Sequence, residues 1–205
     1  MSPSKLNRNI WLIPLAIFLI ALVVRVIGLR FSFPLLTHHD EQYIIDPLIE
    51  MSRNHTLDSG LYNRPNHVLY TILFGYLNLV SKLLFHTNFG WAYEENSLFF
   101  YFHARLVVAV FGALIPVLAW KIGKLIKGID LSLPAAILTC FYPSFIVNSH
   151  YITGDILNTV FSLAIILFCL LYLQKKKKMW LIFACIGVAL NTLEKYPGIL
   201  SYGIV

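Results

Sequence analysis

Charge is what this sequence has little of. Asp, Glu, Lys and Arg make up 13% of its 205 residues, and only ten residues are acidic. An ordinary soluble domain carries about 25% charged residues, so this composition excludes a normal water-facing surface. Cysteine is equally sparse. Cys140, Cys169 and Cys185 lie inside apolar runs with no paired spacing, which excludes a disulfide scaffold and a cysteine-based metal site and leaves them as small packing residues. No internal repeat occurs, and no low-complexity stretch beyond Lys175 to Lys178.

What is abundant is apolar: 58% of residues are hydrophobic and the mean hydropathy is +0.72. Such an excess must face lipid. The net charge of +6 does not point to nucleic acid, because the cations sit between apolar segments, where membrane proteins keep their cytoplasmic anchors. Lys5 and Arg8 precede an apolar run from Ile10 that is long and lacks a small-residue cleavage site, so it reads as a retained helix rather than a signal peptide.

A span needs about 20 apolar residues. The candidates are 10–29, 67–86, 104–120, 131–148, 156–173 and 179–200. If 67–86 crosses and the N-terminus is inside, then Lys121, Lys124, Lys127 and Lys175 to Lys178 all fall outside, against the bias of Lys and Arg toward the cytoplasm. If 67–86 stays on the outer side, both basic loops join Lys5 and Arg8 inside. Thr71, Gly75, Asn78 and Lys82 form one polar stripe on that segment at helical spacing, as suits a helix lying in the interface. A buried helix with its stripe toward neighbours is the plain alternative. The expected architecture is a single all-α polytopic membrane bundle, residues 1–205. Its spans are near 10–29, 104–120, 131–148, 156–173 and 179–200. An outer loop, 30–103, carries surface helices near 42–52 and 67–86. The apolar end at Val205 leads to the expectation that the chain is the N-terminal part of a longer one.

This topology gathers the seven histidines and nearly all acids on the outer side. Three features there can carry chemistry: an acidic cluster, a lone aspartate and a basic set. His38-His39-Asp40-Glu41 follows the first span; adjacent carboxylates beside imidazoles can tune a base or hold a divalent cation, or serve a helix N-terminus with Asp40 as cap. Asp155 opens the 156–173 span, as a cap or as a second carboxylate converging on Asp40. Arg105 and Lys195 lie at outer ends of spans, where a charge is costly and often functional, or else snorkels as an anchor; Glu194 could pair with Lys195. Arg64 adds a further outer cation. Asn54-His55-Thr56 is a glycosylation sequon, meaningful only in a eukaryote.

In order along the chain, Asp40-Glu41, Arg64-Pro65-Asn66, Arg105-Leu106, Asp155 and Glu194-Lys195-Tyr196-Pro197 resemble the motifs of the GT-C superfamily of membrane glycosyltransferases. The branch they match is that of the protein O-mannosyltransferases and the lipid A aminoarabinose transferase. Asn66 stands where that pattern has a second Pro, and Glu194 where it has Thr. The resemblance implies transfer of a sugar from a polyprenyl- or dolichyl-phosphate donor to an acceptor hydroxyl on a lipid, glycan or protein, on the outer or lumenal side. It implies Asp40, Glu41 and Asp155 in catalysis and Arg64, Arg105 and Lys195 at the donor phosphate, with Asp40 and Asp155 a candidate pair for a divalent metal. The expected setting is a bacterial or archaeal plasma membrane, or the endoplasmic reticulum of a eukaryote. A transporter or lipid flippase is the rival reading, but its ionisable groups belong near the midplane, whereas here they cluster at outer ends. A non-catalytic membrane subunit is the other alternative.

Overall fold

The computed structural model describes residues 12–36, 38–58 and 68–205. Among these residues the chain is helical, with no strand. The helices are α1 (Leu12–Val26), α2 (His39–Arg53), α3 (Val68–Phe85), α4 (Phe89–Lys127), α5 (Ile129–Phe141), α6 (Pro143–Asn148), α7 (Asp155–Lys175) and α8 (Lys178–Glu194), followed by a 3-10 segment, Tyr196–Ile204.

Helix α4 is the post around which the others stand: α1, α2, α3, α5 and α7 all pack against it. Its 39 residues would measure about 58 Å at 1.5 Å per residue, roughly twice a hydrocarbon core of about 30 Å. It is not one continuous rod. Asn96 leaves helical geometry at φ −131° and ψ 35°, dividing a short amphipathic start from a long apolar remainder. Asn88 caps the start, its side chain accepting from the Trp91 N–H at 3.2 Å.

Three helices, α3, α4 and α7, are long and apolar enough to cross a membrane; α1 and α5 are apolar but shorter. Leu12, Leu15, Leu19, Ile20 and Val23 are all at least half exposed on α1, an arrangement stable only if that face meets lipid. The protein is therefore an all-α integral membrane protein.

Prolines account for where the helices differ from the expected spans. The segment expected at 131–148 is two helices, because Pro143 offers no N–H and keeps Tyr142 extended at φ −67° and ψ 118°. The last span, expected to run to 200, ends as a helix at Glu194; Lys195 is extended and the chain continues as the 3-10 segment Tyr196–Ile204, with Pro197 at its start. Helix α2 starts earlier than the expected 42, at His39. On α3 the buried face is Leu69, Leu73, Leu77 and Ser81. The stripe of Thr71, Gly75 and Lys82 points outward, away from neighbouring helices. Asn78 alone turns inward, accepting from Ser52 Oγ at 2.7 Å and from the Phe89 N–H at 3.1 Å.

The main core lies where α2, α3, α4 and the start of α7 meet, with Ile45, Leu48, Leu73, Phe89, Phe100 and Ile156 buried together. That cluster sits beside the N-terminal ends of α2, α3 and α7, and so fixes the site built from those ends.

Candidate active site

Four segments far apart in sequence converge on one open pocket of about 190 Å³. Asp40 and Tyr43 come from α2, Leu69 and Tyr70 from α3, Thr153 to Asp155 from the turn into α7, and Glu194 with Lys195 from the end of α8. Neither aspartate caps its helix. His38 is the cap residue of α2 and Gly154 that of α7, and neither end has a side-chain cap hydrogen bond. Asp40 is the second residue of α2, exposed, and its carboxylate has no hydrogen-bond or ion-pair partner among the described residues. It is presented to the pocket without being used by the fold.

Asp155 is paired. Its Oδ1 accepts from Lys195 Nζ, with both side chains about half exposed. The expected Glu194–Lys195 pair is thus replaced by one across two helices. Glu194 points the opposite way: it is 1% exposed and its Oε2 accepts from the Leu69 N–H at 2.9 Å. Leu69 is in the first turn of α3, whose N–H groups have no intrahelical acceptor, so a carboxylate from α8 supplies what a local cap would. Gly154 makes this fit, since a Cβ there would collide with Glu194 Oε1. Tyr70 hydroxyl donates to the Tyr43 carbonyl at 3.0 Å, tying α3 to α2 across the pocket floor.

The charges follow the helix dipoles. Asp40, Asp155 and Glu194 lie at the N-terminal ends of α2, α7 and α3, where negative charge is favoured, and Lys195 follows the C-terminal end of α8, where positive charge is favoured. Two carboxylates, the exposed Asp40 and the half-exposed Asp155, thus border the pocket with Lys195 the single ammonium among its described lining residues. A buried polar ladder holds the two helices that bear Asp155 and Lys195: Asn158 Nδ2 donates to Asn191 Oδ1 at 2.8 Å, and Asn191 Nδ2 to Ser162 Oγ at 3.1 Å.

Two of the expected site residues lie elsewhere. Glu41 and Arg105 are completely buried against each other. Arg105 Nε and Nη2 donate to the two Glu41 oxygens at 2.7 and 2.6 Å, and Nη1 donates to the Leu29 and Phe31 carbonyls at 2.9 and 3.0 Å. All three guanidinium nitrogens donate within the fold and the side chain is fully buried, so Arg105 does not line the pocket. Glu41 has no face on the pocket. Arg64 lies outside the described residues. Among the described residues no group of three or more His, Cys, Asp or Glu converges, and of the pair Asp40 and Asp155 the second already holds the Lys195 ammonium.

Sequence reasoning missed Tyr43, Tyr70 and a second buried arginine, Arg25. The His39–Tyr43 contact, Nε2 to hydroxyl at 2.8 Å, has i, i+4 spacing and was the one signal available. Arg25 is fully buried in α1 and donates to the Cys140 and Thr139 carbonyls at 3.3 Å each, satisfying the open C-terminal end of α5.

The geometry is that of a helical membrane protein with a polar pocket formed at helix ends. The sequence pattern of the dolichyl-phosphate-mannose-protein mannosyltransferase family matches residues 99–203, just over half of the chain, and the chain belongs to that family, one of membrane glycosyltransferases of the GT-C type. Arg105, Asp155 and Lys195 fall within the matched stretch; Asp40, Glu41 and Arg64 precede it. No curated protein and no solved structure matches the chain.

Proposed function

We propose that this protein transfers a sugar from a polyprenyl- or dolichyl-phosphate donor to an acceptor hydroxyl of a lipid, glycan or protein, at the outer or lumenal membrane face. The observation that supports this best is that Asp40, Asp155 and Lys195, chosen from three separate segments, line one pocket, with Asp40 left unpaired.

In this reading Asp40 accepts the proton of the acceptor hydroxyl. The oxygen attacks the anomeric carbon, the bond from that carbon to the phosphate oxygen breaks, and the lipid phosphate leaves with the electron pair. The donor already has a competent leaving group, so the protein contributes position and charge stabilisation. Lys195 faces the developing phosphate charge, and Asp155 holds its ammonium at the pocket rim. Among the described lining residues the carboxylates of Asp40 and Asp155 face one ammonium, Lys195, and this reading calls for a second cation at the phosphate. Arg64 is our candidate, on its place in the family motif.

The test is reconstitution of the full-length protein in liposomes with a radiolabelled polyprenyl-phosphate sugar and a mixed acceptor extract. Transfer of label that is lost in Lys195→Ala and reduced in Arg64→Ala supports the proposal. A folded wild-type protein that transfers nothing from any polyprenyl-phosphate sugar overturns it.

A further inference from the structure

The opposite end of the bundle carries a feature that sugar transfer does not use. Helices α4, α7 and α8 leave an open furrow of about 390 Å³. Leu114, Val117, Val160, Ala164 and Phe168 line it, and Lys121 is the single charged residue of its lining. Lys121 lies 16 positions along α4 from Arg105, about 24 Å at 1.5 Å per residue, so the furrow's charged end is remote from the pocket.

Around that end two basic segments meet. Lys121, Lys124 and Lys127 occupy the last turns of α4, and Lys175 to Lys178 the turn from α7 to α8. Gln174 Nε2 donates to the Leu125 carbonyl at 2.9 Å and holds the two segments together. Lys124 stands over the Trp120 ring at 4.9 Å and Lys175 over Trp180 at 5.5 Å. Tryptophan beside lysine is the pattern of a membrane–water boundary. Among the described residues none of the seven lysines has an ion-pair partner; the ion pairs present belong to Arg53, Arg105 and Lys195. With Asp130 the one acid next to these segments in sequence, the seven lysines leave an excess of positive charge beside the apolar furrow.

We propose that this furrow binds an anionic phospholipid, one acyl chain lying along α4 and α7 and the headgroup phosphate held by Lys121 with the neighbouring lysines. The occupant follows from the two halves of the site. An apolar trough takes a hydrocarbon chain, and an ammonium at its rim takes a phosphate at headgroup depth. A packed helix would fill the trough but would leave the seven cations unanswered. The inference stands independently of the sugar-transfer reading.

The test uses the full-length protein in neutral detergent with defined lipids. Retained lipid is counted by native mass spectrometry, and the unfolding midpoint is followed on titration with phosphatidylglycerol, phosphatidylcholine or inorganic phosphate. Phosphatidylglycerol should be retained and should raise the midpoint, while the other two should do neither. Lys121→Gln should weaken phosphatidylglycerol binding about fivefold. Ala164→Trp, which fills the trough, should weaken it about tenfold with the lipid-free midpoint unchanged; Val117→Phe serves the same arm where the tryptophan lowers that midpoint. Equal retention of phosphatidylcholine overturns the proposal. So does undiminished phosphatidylglycerol binding in a folded trough variant, which would reduce the effect to diffuse attraction by surface lysines.

Discussion

Arg105 and Glu41 grip each other at two points with neither side chain exposed, and Glu41 Oε1 also accepts the Ile152 N–H at 3.0 Å. One ion pair thus joins α2, α4 and the turn that delivers Asp155. Because Asp40 is the residue before Glu41, the same pair sets how Asp40 faces the pocket. Removing one partner of a buried pair leaves an uncompensated charge and costs about 3–5 kcal/mol. Glu41→Gln and Arg105→Ala should therefore lower the unfolding midpoint sharply in detergent. In whatever fraction folds, donor KM should stay near wild type. A stable Arg105→Ala variant with a raised donor KM would return Arg105 to the phosphate.

Lys195 should behave in the opposite way. Its pair with Asp155 is half exposed, and exposed pairs contribute about 0–1 kcal/mol to stability, so Lys195→Ala should unfold close to wild type. A charge-assisted contact to phosphate is worth about 1.5–3 kcal/mol. Donor KM should then rise at least about tenfold with acceptor KM little changed. A KM rise on the acceptor side alone would reassign Lys195.

Asp40, Asp155 and Lys195 could be picked out as charges at outer helix ends because each rests on local information, whereas the ends of the helices differ from the expected spans at Pro143 and near Pro197. A carboxylate after an apolar run, or a lysine near the end of one, is visible in a few residues. The bridge between Glu41 and Arg105 was not. Its partners lie 64 positions apart, and each alone reads as a site residue as readily as a structural one. The same holds for Glu194, whose neighbour Lys195 was the obvious partner in one dimension but whose carboxylate serves the first turn of α3. Arg25 was overlooked because a lone arginine near the end of a span reads as an anchor, and only the open carbonyls of α5 explain its burial. The helix break at Tyr142 was available from Pro143.

Helix α3 poses a question that length and composition leave open, since it satisfies both requirements for a span. The prediction is that it lies on the outer face. Cysteines placed at exposed Asp58 and Glu95, on either side of α3, in a background lacking Cys140, Cys169 and Cys185, should both react with an impermeant thiol reagent from the same side. Reaction of Glu95→Cys from the other side would mean that α3 crosses, and would reverse the assignment of the lysine loops.

His150 provides a pH dependence. Burial lowers its pKa, and the guanidinium groups of Arg105 and Arg25 add to this against backbone hydrogen bonds to Arg25 and Ile27. The folded form thus binds its proton less readily than the unfolded chain, whose histidine titrates near the ordinary 6.5. Stability from the neutral ring is present above that value and is lost as pH falls below it. Between pH 7.5 and 5 the unfolding midpoint should fall, and His150→Gln should flatten the slope. An equal slope in both proteins would place the titrating group elsewhere.

Asp40→Asn separates chemistry from architecture most directly. Asp40 is not the cap of α2; that position belongs to His38, and the carboxylate has no partner among the described residues. Structurally the substitution loses only the interaction of a negative charge with the helix N-terminus, about 0.3–1 kcal/mol at an exposed site. Membrane level and unfolding midpoint should stay close to wild type. If Asp40 removes the acceptor proton, the amide cannot, and the loss of general-base assistance should cost about 10²–10⁴-fold in transfer rate, with donor KM little altered because Lys195 is untouched. The acceptor's own acidity gives a second reading: an acceptor with a more acidic hydroxyl needs less help, so it should recover more of the rate in Asp40→Asn than in wild type. A folded Asp40→Asn protein with near wild-type transfer would strip Asp40 of the base role, and Asp155→Asn in the same assay would then show whether the second carboxylate of the pocket carries it.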